Sequence, residues 1–127
     1  MAKIVLRSRA KGYNKFGALP TKEYASRREA RRAEELHALE RAGEISGLRE
    51  QVSYVLVPPQ YGECGTDFKG RRVKVLLERG VRYVADFVYR DSMGNIVVED
   101  AKGVRTREYV IKRKLMLWVH GIRIKEV

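Results

Sequence analysis

Cysteine is nearly missing from this chain: one residue, Cys64, stands in 127. A single thiol excludes an internal disulfide and any cysteine-rich zinc site, and it fits a reducing cytoplasm. Cys64 has no basic or histidine neighbour, so it is no candidate nucleophile. Histidine is as scarce. His37 and His120 lie far apart, outside any His-x-x-x-His or Asn-His context, and read as surface or helix-end residues. Apolar runs never exceed five residues, so no bilayer span is expected. The opening Met1-Ala2-Lys3-Ile4-Val5-Leu6-Arg7 holds too short an apolar stretch for a signal peptide. No internal repeat or low-complexity tract is visible.

Acidic side chains are the minority charge, 16 against 27 basic, which leaves +11. Hydrophobic residues at 44% exclude a wholly disordered basic tail, and the length suits one domain with one core. Such an excess on so small a body points to a polyanion, nucleic acid first. The charge is unevenly placed. Residues 1–42 carry +6, residues 43–102 are neutral, and residues 103–127 carry +5. Within residues 1–15, Lys3, Arg7, Arg9, Lys11 and Lys15 meet no acid at all, which reads as an arm for phosphates or a solubilising tail. We take residues 1–25 as a basic arm and 26–127 as a single domain.

A helix is expected from Arg27 to Ala42, opened by the capping pair Ser26 and Glu29 and closed by Gly43. Ala33, Leu36 and Leu39 form its buried stripe. Ile45–Val57 reads as extended, residues 58–70 as a long exposed loop, and Arg72–Leu77 as a strand. Arg82–Tyr89 and Ile96–Lys102 form the clearest hairpin, turning through Asp91-Ser92-Met93-Gly94-Asn95. Thr106 caps a second helix running to about His120, with Ile111, Leu115 and Trp118 at helical spacing. Ile122 and Ile124 then open a closing strand parallel to its predecessor, as a β-α-β crossover requires. These elements imply an α/β fold with an α-β-β-β-α-β core, a mixed sheet flanked by helices.

The acids of the neutral centre fall in the hairpin. Alternation puts Val84, Asp86 and Val88 on one face and Tyr83, Ala85, Phe87 and Tyr89 on the other. A turn centred on Met93 sets Asp86 directly opposite Asp100, and Val84 opposite Lys102. Opposed residues have Cβ atoms about 5 Å apart, where two carboxylates repel unless a positive charge lies between them. A divalent cation meets that need, since Mg²⁺ takes only one or two carboxylates from a protein. A plain salt bridge of either aspartate with Lys102 is the alternative. A register shifted by an odd number of residues would separate the two aspartates.

Tyr83-x-Ala85-Asp86-Phe87 followed by Val98-Glu99-Asp100-Ala101-Lys102-Gly103 resembles the signature of the PD-(D/E)XK nuclease superfamily. Ser26-Arg27-Arg28-Glu29-Ala30-Arg31 is similar to the helical glutamate many members carry upstream. With Tyr13-Asn14-Lys15, Gly43-Glu44-Ile45, Leu48-x-x-Gln51 and Lys112-Arg113-Lys114, the ordered set resembles a family of small phage and prophage proteins placed in that superfamily. The first acid follows alanine rather than proline. This resemblance implies a restriction-endonuclease-like core and a Mg²⁺- or Mn²⁺-dependent DNA endonuclease leaving 5′-phosphate and 3′-hydroxyl ends. Asp86, Asp100 and the Ala101 carbonyl would hold the metal. Glu29 would add a water-mediated contact or serve a second ion, and Lys102 would position or deprotonate the attacking water.

Other side chains have two readings each. Glu29 serves the cap or the site, and Gln51 orients a water or an acid or is a satisfied core amide. Glu99, on the opposite face from Asp100, is expected to pair with a helix arginine, with a role as an alternative metal ligand as its second reading. Arg28, Lys112 and Lys114 reach phosphates or form solvated faces. Trp118 is expected in the core, and Tyr61 and Phe68 are the candidate stacking groups. A homodimer cutting both strands and a branched DNA target follow as expectations, as does a cytoplasmic site of action, that of a bacterial host if the gene is phage-borne. RNA is the alternative substrate, and a non-catalytic nucleic-acid-binding protein is the competing class.

Overall fold

The computed structural model describes residues 26–127. The basic residues Lys3, Arg7, Arg9, Lys11 and Lys15 lie outside the described residues. Helix α1 spans Arg27–Arg41, where the Ser26 hydroxyl accepts the Glu29 N–H at 3.1 Å as the capping pattern requires. Strand β1 is Ser46–Val57, β2 Gln60–Thr66, β3 Arg72–Glu78, β4 Val81–Arg90 and β5 Ile96–Asp100. Helix α2 covers Arg107–His120, capped by the Thr106 hydroxyl and ended at Gly121, whose φ of 67° only glycine adopts cheaply. Strand β6 is Lys125–Glu126. Among the described residues, no helix is long and apolar enough to cross a membrane.

The protein is a mixed α/β fold. Four strands form one sheet in the order β1-β4-β5-β6, antiparallel except for the parallel β5–β6 pair. Phe87 pairs with Glu99, Val88 with Val98, Tyr89 with Val97 and Arg90 with Ile96. This is the register expected of a turn centred on Met93. Leu36 and Ala33 of α1 pack on Phe87 and Tyr89, whereas Tyr109 and Met116 of α2 pack on Val88 and Val98. Adjacent strand residues point to opposite faces, so the two helices cover opposite sides of the sheet.

Four expectations need correction. Residues 58–70 are not a loop: Gln60–Thr66 pairs with β3 in a separate two-stranded ribbon. Glycines, which alone read as turn signals, here sit in a strand whose side chains have no core to fill. Arg72–Leu77 accordingly leaves the main sheet. The closing strand is confined to Lys125–Glu126, while Ile124 is buried in the core just before it. Trp118 is 86% exposed, and Ile111 is exposed too; α2 turns Tyr109 and Met116 inward instead. Helical spacing identifies a stripe but not which stripe faces the sheet. Finally, strict alternation fails along β4. Tyr83 and Ala85 pack with Val88 beneath α2, while Phe87 and Tyr89 pack beneath α1. The switch falls at Asp86.

Candidate active site

The break in alternation has a counterpart on the neighbouring strand. Glu50 pairs with Phe87 and Val52 with Ala85, and between them Gln51 takes a φ of 54°. It is the only non-glycine residue with positive φ among the described residues. A left-handed backbone at a residue with a full side chain costs about 1–2 kcal/mol and persists only where its surroundings over-determine it. Here the surroundings are acids. The Gln51 amide donates to Glu29 Oε1 at 2.8 Å and lies 3.4 Å from Asp86 Oδ1. Gln51 thus joins the first turn of α1 to the middle of β4.

Asp86, Asp100, Ala101 and Lys102 line one cavity of about 500 Å³ together with Glu29 and Lys112. Asp86 Oδ2 accepts the Ala101 N–H at 2.8 Å, which ties the two aspartate-bearing strands together beyond their last ladder pair. Burial pushes the Asp86 carboxyl above its ordinary pKa, and the Asp100 charge adds to this. The Ala101 N–H, Gln51 and Lys102 offset the rise only in part. Asp100 is 4% exposed and accepts the Tyr83 hydroxyl at 2.7 Å, while Lys102 Nζ lies 3.1 Å from its other oxygen. Burial and that hydrogen bond both push the Tyr83 phenol up, so Tyr83 donates and stays neutral. The Lys102 ammonium also stands 4.0 Å above the Tyr109 ring. An ion pair of Asp100 with Lys102 is therefore present, as the structural alternative expected. It leaves unexplained why a second, half-buried carboxylate faces the first across the same cavity.

The expected residues divide by place. Glu29, Gln51, Asp86, Asp100, Ala101, Lys102 and Lys112 come together. Lys114 lies instead beside Arg105, Arg113 and Arg123 around another cavity. Arg28 stands next to Gly103, at a cavity that Arg31 and Arg32 also line. Glu99 points away from the site, as expected. Arg32 grips both its oxygens at 2.8 Å, and the Tyr89 hydroxyl donates to it as well. Burial alone would raise the Glu99 carboxyl, but these partners hold it below the ordinary range. His37 pairs with Glu50 at 3.0 Å, and His120 ends α2 against the Val55 carbonyl. Tyr83, Tyr109, Arg82 and Glu108, for which the sequence suggested no role, also line the site cavity. For Tyr83 the signal was its place in the motif; the others had none.

Whether a cation suits this donor set is a question of chemistry. Among the described residues, no group of three or more His, Cys, Asp or Glu side chains is assembled to hold a metal. Two carboxylates and a backbone carbonyl are hard oxygen donors, and Mg²⁺ keeps several of its waters in such a setting. The raised Asp86 carboxyl marks a site where positive charge would be stabilising. The residues present fit a hydrated Mg²⁺ or Mn²⁺ and fit poorly a fully protein-caged metal.

No curated protein and no solved structure matches the chain. Residues 11–122 match the family described as "Protein of unknown function (DUF1064)", and to that family the chain belongs.

Proposed function

We propose that this protein is a metal-dependent nuclease that hydrolyses phosphodiester bonds in DNA, built on a restriction-endonuclease-like core. The observation that carries the reading is the convergence of Asp86, Asp100 and Lys102 at one cavity with Glu29 and Gln51 behind them. With the β2–β3 ribbon set aside, the element order is α-β-β-β-α-β, as the motif resemblance implies. Asp86, Asp100 and the Ala101 carbonyl would hold Mg²⁺ or Mn²⁺. The bound ion would supply an activated water and neutralise a phosphate oxygen.

The chain's own residues do the rest. The Ala101 N–H and the Gln51 amide fix the Asp86 carboxylate, and Tyr83 fixes that of Asp100. Glu29 holds Gln51 in place from α1 and stands ready for a water-mediated contact or a second ion. Lys102, at the cavity wall, orients the attacking water and stabilises charge growing on phosphorus as the ammonium, or takes a proton from the water as the neutral amine. Lys112 and Arg82 on the same wall take phosphate oxygens. A homodimer presenting two such sites would cut both strands.

The test is a cleavage panel. Supercoiled, linear, single-stranded, forked and four-way DNA, with RNA counterparts, are incubated with Mg²⁺, Mn²⁺ or chelator. Metal-dependent cleavage is expected, falling about 100-fold or more in Asp100→Asn and in Lys102→Ala. Salt-sensitive binding with no cleavage of any substrate would overturn the enzyme in favour of a nucleic-acid-binding protein.

A further inference from the structure

The β2–β3 ribbon takes no part in the core. None of its described side chains is buried, and it leaves the body where Val57 pairs with Val81. At its base Gly80 leaves no room for a side chain: a Cβ there would lie 2.9 Å from the Val57 carbonyl oxygen. Seven residues per strand give the ribbon a reach of about 23 Å at about 3.3 Å per residue.

Its tip is built rather than loose. The Asp67 carboxylate accepts the Lys69 and Arg71 N–H groups at 2.9 Å each and the Arg71 guanidinium at 2.7 Å. The Asp67 N–H donates to the Arg71 carbonyl, and the Gly70 N–H to that of Asp67. These bonds consume the one acid of residues 66–74 and hold Phe68 outward at 92% exposure. Lys69 stands 5.7 Å from its ring, and Arg71, Arg72 and Lys74 follow. Four basic side chains face two acids, Asp67 bound to Arg71 and Glu63 lying 3.7 Å from Arg72, so this end of the ribbon keeps a net positive charge.

From these observations we infer that the ribbon tip is a nucleic-acid contact, in which Phe68 stacks on a base freed from its pair while Lys69, Arg72 and Lys74 hold the flanking phosphates. The inference rests on the DNA reading proposed above and names its substrate class: duplex interrupted by unpaired bases, as at a fork, bulge or junction. A ring displayed on a cationic, hydrogen-bonded tip suits a π-face flanked by negative charge. The tip also has a path to the chemistry. Arg82 and Val84 lie between Asp86 and the ribbon's base at Val81, and both line the site cavity.

Binding in chelator, where no cleavage intervenes, tests this directly. Fluorescent duplex and the same duplex with two unpaired adenines, one replaced by 2-aminopurine, are titrated by anisotropy and emission. The wild-type protein is expected to prefer the interrupted duplex and to quench the 2-aminopurine. Phe68→Ala is expected to lose about 5- to 100-fold on the interrupted duplex and under twofold on the intact one, with Phe68→Trp restoring both signals. Wild-type affinity in Phe68→Ala, or an equal loss on both duplexes, would overturn the stacking role alone. Failure of the wild-type chain to bind any DNA would overturn this inference together with the reading beneath it. A Phe68-dependent preference in a protein that cleaves nothing would keep the ribbon and sink the nuclease.

Discussion

At the scale of single residues, two side chains carry opposite kinds of constraint. Gln51 accepts an unfavourable backbone so that its amide can bridge Glu29 and Asp86. Gln51→Gly removes the strain and the bridge together. Thermal unfolding should therefore shift by no more than a few degrees, while single-turnover DNA cleavage falls at least tenfold. An unfolded Gln51→Gly chain, or one cleaving normally, would show that the bridge serves the fold alone or nothing. Arg32 answers a different need, since Glu99 is fully buried and depends on it. Arg32→Met strands that carboxylate and should cost about 3–5 kcal/mol by urea unfolding. The double variant Arg32→Met with Glu99→Leu should recover much of the loss. Equal instability of the single and double variants would mean the pair is not the cause. The pairing of Glu99 with a helix arginine was legible from strand alternation. Which arginine it was depended on the distance between α1 and β5.

Secondary-structure elements show how far local rules reach. Both helices start at the capping residues their sequences advertise, because an N-cap is satisfied within one turn. The face a helix buries is settled by its partner, and α2 turns Met116 rather than Trp118 to the sheet. Met116→Ala should cost about 2–5 kcal/mol of unfolding free energy, and Trp118→Gln about 0.5 kcal/mol or less. A reversed ranking would contradict the packing. The ribbon gives an equally direct expectation. Replacing residues 58–80 by Asn-Gly, a turn suited to the Val57–Val81 pair, should leave a folded protein within a few degrees of the parent in thermal unfolding. Collapse of the fold would show that the ribbon supports the body.

For the whole molecule, the charge of +11 and its few well-placed acids act at different pH. Glu126 on β6 is held by the Arg105 guanidinium first, then by the Tyr109 hydroxyl and Arg113, and its carboxyl is pulled down to about 2. A carboxyl lowered in the folded state stabilises it above the ordinary range near 4.5, and that contribution is lost as pH falls towards about 2. Glu99, held down by Arg32 and Tyr89, has the same sign. The urea midpoint should thus fall between pH 5 and pH 2.5, and Glu126→Gln should flatten the fall. A midpoint insensitive to pH in that window would refute the assignment.

Sequence by itself determined what short-range physics controls: both helices with their caps, the hairpin and its register, the parallel closing pair, and the basic ends around a neutral centre. Asp86 and Asp100 were readable as partners because a hairpin's register follows from its turn, a matter of a few residues. Tertiary structure decided what depends on distant chain segments meeting. It split the faces of β4 at Asp86, set Gln51 of β1 against Glu29 of α1, selected Arg32 for Glu99, and left Trp118 in solvent. It also paired Gln60–Thr66 with β3 outside the core. None of these is written in a local pattern, because each is settled by which surfaces the packed sheet and helices leave to be filled.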